Sequence, residues 1–147
     1  MENQDEKRLL TSSLIIPIIL VLIMWLVKIV ETVFDLDFSF LGIKPISVEG
    51  LPGIILFHFI HGDWEHLFAN TVPILVLGTS LYYFYRPIAN KTLLILMFST
   101  GFLTWCGARS GVHIGASGLV YGLTFFLMIS GFIRRDRKLI IISLIVV

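Results

Sequence analysis

Charged residues are scarce in this sequence, and one cysteine occurs among its 147 residues. The charged fraction is 14%, against about a quarter in soluble domains, which argues against an ordinary water-soluble domain. Cys106 has no partner for an internal disulfide, and its apolar neighbours predict a small buried side chain. We find no zinc-ligand spacing, no glycine-rich phosphate loop and no extended basic face, so a nucleic-acid partner is not expected.

The sequence contains long apolar runs, and 56% of its residues are hydrophobic. A helix needs about 20 apolar residues to cross a bilayer. The sequence therefore predicts an all-α, polytopic transmembrane helix bundle. Near the end of the first span, Lys28 is expected to snorkel towards the interface. The predicted spans are 9–30, 66–85, 92–106 and 116–133, followed by the start of a fifth helix at 139–147.

Basic residues cluster before the first span, between the second and third, and after the fourth. By the positive-inside rule these clusters lie in the cytoplasm, which makes 1–8 a cytoplasmic N-terminus and 31–65 an outer loop. The loop interleaves Phe and Leu with acidic residues, so two interpretations stay open. It forms short amphipathic pieces in the outer interface, or it is an ordinary extracellular loop. The clusters are Lys7 and Arg8; Arg86 and Lys91; and Arg134, Arg135, Arg137 and Lys138.

Polar side chains occur at the outer ends of two predicted spans, where their burial is costly. His66 and Asn70 are four residues apart, so they share one face of the second helix. Ser117 lies between Gly115 and Gly118 at the start of the fourth span. A serine hydrolase needs a nucleophile and donors aimed at the developing oxyanion, and these residues offer both. The ordinary alternatives are a buried structural histidine, an asparagine that bridges two helices, and a small-residue packing site.

Two motifs carry a resemblance to a known family. The first is H-G-x-x-x-H-L-x-x-N, from His61 to Asn70, and the second is G-x-S-G, from Gly115 to Gly118, with Tyr121 following. In spacing, order and predicted topology the chain resembles the rhomboid intramembrane serine proteases over most of its length. The resemblance implies a six-helix bundle of which 1–147 is a partial domain, with no metal or organic cofactor. It also implies single-span membrane-protein substrates cut near the outer face of a bacterial inner (plasma) membrane.

The resemblance implies a role for each matching residue. Ser117 corresponds to the nucleophile. His66 and Asn70 correspond to oxyanion-hole donors, and Tyr121 to the aromatic residue that stacks on the catalytic histidine. Gly115 and Gly118 give close access to the serine, and His61 ties the second helix to the outer loop.

The chain departs from the family pattern at the general base. The family carries that histidine on its sixth helix, whereas this sequence ends within the fifth predicted helix. We therefore expect a C-terminally truncated piece of a longer protease, which by itself cleaves very little. His113, four residues before Ser117, is a disfavoured substitute base. The alternative from another class is a non-catalytic rhomboid-like protein that binds client transmembrane segments, and the intact G-x-S-G argues against it. A channel or transporter has little support.

Overall fold

The computed structural model describes residues 2–145, and in that part of the chain the regular structure is helical, as the sequence predicts. The end of the bundle where α1 and α4 finish and α3 and α5 begin is called the loop side below. The helices are α1 (Glu2–Phe34), the short α2 (Gly53–Leu56), α3 (Trp64–Phe84), α4 (Ala89–Gly107), α5 (Ser117–Arg134) and α6 (Arg137–Ile145).

Three helices within residues 2–145 are long and apolar enough to cross a membrane, namely those of the first, second and fourth predicted spans. The third predicted span, 92–106, lies within α4, whose 19 residues give a length of about 28 Å. Polar Asn90 and Lys91 lie in its first turn. The predicted fifth helix is present as α6, and residues 146 and 147 of its expected range lie outside the described residues.

Helix α1 extends beyond the predicted first span at both ends. Residues 2–8, expected as a cytoplasmic tail, and 31–34, expected as loop, continue the same helix. No glycine interrupts this stretch, and Pro17 lies within the helix without ending it. The helix stops at Asp35, which has the left-handed φ of 51° that commonly terminates helices.

Small residues bring the helices into close contact, as membrane bundles require. Gly78 of α3 packs on the ring of Pro17, so an added Cβ would lie 3.0 Å from the Pro17 Cγ. Gly101 of α4 touches the backbone of α2, and an added Cβ there would overlap the Ile54 carbonyl oxygen. These contacts surround a core cluster that includes Leu67, Leu77, Leu81, Leu119, Leu123 and Leu127.

The segment between α1 and α3 is packed against the bundle. It contains α2 and three single turns of 3₁₀ helix, at Ser39–Leu41, Val48–Gly50 and Phe57–Phe59. The Ile46 N–H donates to the Trp105 carbonyl at 3.0 Å, and the Trp105 indole N–H donates to the Ser47 carbonyl at 2.9 Å. The segment therefore consists of short helical pieces held against the bundle.

The prediction that Cys106 is buried is wrong, because its side chain is exposed. The buried positions of α4 recur every fourth residue, at Leu93, Met97 and Gly101. Cys106 follows Gly101 by five residues, which turns it about 140° away from that face. An apolar neighbourhood in the sequence does not specify which side of a helix is buried.

Replacing Gly101 by Ala should lower the free energy of unfolding by about 1–3 kcal/mol, because the methyl group would meet the α2 backbone. Thermal unfolding in detergent micelles would measure the change. Gly107→Ala is the matched control in the same helix, since an added Cβ there has nothing within 4 Å. Equal stability of the two variants would contradict the close α2–α4 contact.

Candidate active site

The two motifs of the sequence meet at one cavity of about 220 Å³ between α3 and α5. Four of the residues singled out from the sequence line it. Three others complete the wall, and each of them lies three residues after a lining residue of the motifs, on the same side of its helix. The lining residues are His66, Ala69, Asn70, Pro73, Ser117, Val120 and Tyr121.

Helix α3 starts in a way that presents His66 and Asn70 together. Asp63 is the N-cap, and its carboxylate accepts the backbone N–H of His66 at 2.7 Å. One turn later the Asn70 amide donates to the His66 carbonyl at 2.9 Å. That bond uses one of the two amide hydrogens, so a buried Asn70 keeps a second hydrogen for a group in the cavity.

Ser117 is the first residue of α5, and its side chain is exposed. The two preceding backbone N–H groups are bonded to the segment before α3. The Gly115 N–H donates to the Phe57 carbonyl at 2.8 Å, and the Ala116 N–H donates to His61 Nε2 at 3.4 Å. Within the described residues the Ser117 N–H has no acceptor, and it lies at the N-terminus of α5, the positive pole of the helix dipole.

Gly115 lies directly against the His66 imidazole. Its φ is 110°, a conformation that side chains disfavour, and an added Cβ would fall within 2.5 Å of His66 Nε2. Only glycine lets the turn before Ser117 come this close to the ring. Gly118 is placed differently, because its Cα faces Thr100 of α4 and Phe57. Gly118 therefore serves the packing of α5 on α4 and does not line the cavity.

His61 makes more contacts than the sequence indicated. Besides closing the loop before α3, its ring contacts the turn that leads to Ser117, and it lies 5.1 Å from the ring of His66. Burial, and secondly the nearby His66, lowers the pKa of His61 to about 4. The imidazole is therefore neutral at pH 7. The bond to Ala116 requires this, because a ring nitrogen can accept an N–H only when it carries no proton itself.

His113 is engaged away from the cavity. Its ring nitrogen Nε2 is 2.8 Å from the Arg109 carbonyl, and its backbone pairs with Ile43 in an isolated antiparallel bridge. His113 is not among the residues that line the cavity.

Residues 49–147 match the family model described as the Rhomboid domain. The chain belongs to the Rhomboid domain family. Membership, together with the three apolar helices, identifies an integral membrane protein of a family of intramembrane proteases that act on membrane proteins in the bilayer.

Curated relatives of this Rhomboid domain chain occur in mycobacteria. Proteins from Mycobacterium bovis and Mycobacterium tuberculosis, both named as uncharacterized, are 33% identical over 139 residues, covering 86% of this chain and 55% of theirs. An uncharacterized protein of Mycobacterium leprae is 31% identical over 131 residues, covering 80% of this chain and 50% of its own. The chain thus spans about half the length of these relatives. No solved structure matches it.

Replacing Gly115 by Ala should destabilise the fold more than the same change at Gly111. Both glycines have positive φ, at 110° and 136°, so each substitution adds backbone strain of about 1–2 kcal/mol. Only at Gly115 does the methyl group also collide with His66, which should add about 1–3 kcal/mol. Thermal unfolding of both variants would test this. Equal losses would show that the approach to His66 is looser than described.

Proposed function

We propose that this chain carries the active site of an intramembrane serine endopeptidase, with Ser117 as the nucleophile. The observation that supports the proposal is that Ser117, His66, Asn70 and Tyr121 line one cavity. Residues 51 positions apart in the sequence supply a hydroxyl and two side-chain donors to the same small volume. A site that served only the packing of small residues would not require a hydroxyl and two side-chain donors in one cavity.

The proposed chemistry follows from the atoms around the cavity. The Ser117 hydroxyl attacks the carbonyl carbon of the scissile peptide, its proton passes to the general base proposed below, and the carbonyl oxygen becomes negative. The Asn70 amide, the His66 ring and the Ser117 backbone N–H are the proposed donors for that oxyanion. Fixed donors of this kind act most strongly in a site from which bulk water is partly excluded, as at the end of a membrane bundle.

The general base is proposed to be a histidine on a later helix of the family fold, with Tyr121 stacked against it. His61 and His113 are poor candidates, because each ring already bonds to a backbone group and neither residue lines the cavity. Since the curated relatives are nearly twice as long as the matched region, the experiments below use protein expressed from its complete reading frame.

The charge distribution supports a proposed orientation. The loop side would face outwards and 1–8 the cytoplasm, with 31–65 as the outer loop and 139–147 as the beginning of a fifth span, in a bacterial inner membrane. Ser117 then lies at the outer surface of the bilayer. Single-span membrane proteins, cut near that surface, are the proposed substrates.

A fluorophosphonate probe should label the wild-type protein in membranes at Ser117, forming an Oγ–P bond while fluoride and the hydroxyl proton leave. Ser117→Ala should lose the label entirely. Ser110→Ala is the matched control, since Ser110 is an exposed serine in the loop that leads to α5. A folded wild-type protein that takes no label would contradict the protease and favour a rhomboid-like binding protein.

Replacing either His66 or Asn70 by Ala should slow peptide cleavage and probe labelling by about 100-fold or more, because each change removes a proposed oxyanion donor. Labelling time courses would give both rates. Val72→Ala controls for changes in α3 itself, since Val72 is 61% exposed on that helix and lies outside the cavity lining. Wild-type rates in both donor variants would remove the oxyanion role.

A further inference from the structure

We propose that Lys28 of α1 is a positioning residue that fixes the start of α3 and thereby directs His66 and Asn70 towards Ser117. The inference rests on the proposed function, and it concerns a residue outside both motifs. Lys28 touches none of the reacting groups, so it would act through the backbone of α3.

The contact lies one residue before the cap of α3. The Lys28 ammonium donates to the Gly62 carbonyl at 3.0 Å. Gly62 directly precedes Asp63, whose carboxylate holds the His66 N–H. A short chain of bonds therefore connects α1 with the backbone of the first proposed oxyanion donor.

Lys28 is held in this position by a carboxylate and is largely withdrawn from solvent. Its ammonium lies 3.5 Å from Glu31, and the two side chains are 13% and 8% exposed. The other carboxylate oxygen of Glu31 accepts the Phe38 N–H at 3.0 Å. An interfacial lysine ordinarily extends to water, as the sequence led us to expect, whereas this one donates to the backbone carbonyl of Gly62 just before α3. Desolvating an ion pair is costly, so its retention here points to a positional use.

A second group on α1 supports the same part of α3. One turn before Lys28, the Trp25 indole N–H donates to the Thr71 hydroxyl at 3.0 Å. The Trp25 ring packs edge-on against Phe68, with centroids 4.8 Å apart, and tilted against Trp64 at 5.9 Å. Helical spacing puts these three α3 residues on the face opposite to the one that lines the cavity. Helix α1 thus contacts the face of α3 opposite to the cavity and leaves the cavity-lining face open.

Oxyanion donors are sensitive to small displacements, and a shift of about 1 Å can cost about 100-fold in rate. Ser117 is held by other bonds, from the Gly115 and Ala116 N–H groups to Phe57 and His61, and neither bond includes Lys28 or Gly62. Releasing Lys28 would therefore move the donors relative to the nucleophile. The loss should appear in the chemical step and leave probe binding unchanged.

Fluorophosphonate inactivation separates these two quantities as kinact and KI, and kinact does not depend on how much of the protein is folded. Lys28→Met should lower kinact by about tenfold or more and leave KI within about threefold. Lys28→Arg keeps the charge and donors and should restore kinact to within about threefold of wild type. Lys44→Met is the matched control, because Lys44 forms an exposed ion pair with Glu49 on the same side of the bundle.

One further variant and one further readout keep the test decisive. If Lys28→Met does not fold because Glu31 is left alone, the double variant Lys28→Met/Glu31→Gln removes the pair together and should show the same loss of kinact. Amide hydrogen exchange of residues 62–70 should speed up in these variants and stay unchanged in Lys44→Met. Unchanged kinact in a labelled, folded Lys28 variant, or unchanged exchange, would overturn the inference. A wild-type protein that takes no label would instead overturn the proposed function.

Discussion

The geometry of the candidate site depends on two bonds from the segment at 57–61 to the turn before α5. Phe57 and His61 accept the N–H groups of Gly115 and Ala116, which leaves the next N–H, that of Ser117, free at the helix start. Both acceptors precede α3 by a few residues. Because this segment leads directly into α3, the two bonds bring the start of α5 beside the start of α3, and the cavity is the space that remains between these two helix ends.

A membrane setting explains why the backbone N–H groups of Gly115 and Ala116 find acceptors within the protein. In hydrocarbon, backbone groups that lack partners are costly, so irregular segments at the edge of a bundle must find theirs within the protein. His58 illustrates the requirement, because it is buried and its ring nitrogen Nε2 lies 3.0 Å from the Met97 carbonyl of α4. Burial lowers the pKa of His58 to about 4, so both buried histidines of this segment stay neutral and add no charge beside the site.

The sequence was sufficient for the helices and for the pairing of the two motifs, because both follow from periodicity. His66 and Asn70 share a helix face by their spacing alone, and the order of apolar runs placed them at the same end as Ser117. Contacts between distant segments could not be obtained this way. The bond from His61 to Ala116 joins residues 55 positions apart, and the G-x-S-G pattern does not say that Gly115 approaches His66 while Gly118 packs on Thr100. Lys28 shows the same limit, since hydropathy predicted a solvated ammonium and tertiary structure provides a carbonyl.

The exposed position of Cys106 gives the protein a native reporter thiol. It is the one cysteine in this sequence and lies in the last turn of α4, at the end of the bundle where the cavity opens. A spin label or fluorophore attached there would sense the environment of the loop side. A reagent that cannot pass through lipid would modify this thiol from one side of the membrane only. The side from which labelling succeeds would therefore report the orientation of the bundle in the membrane.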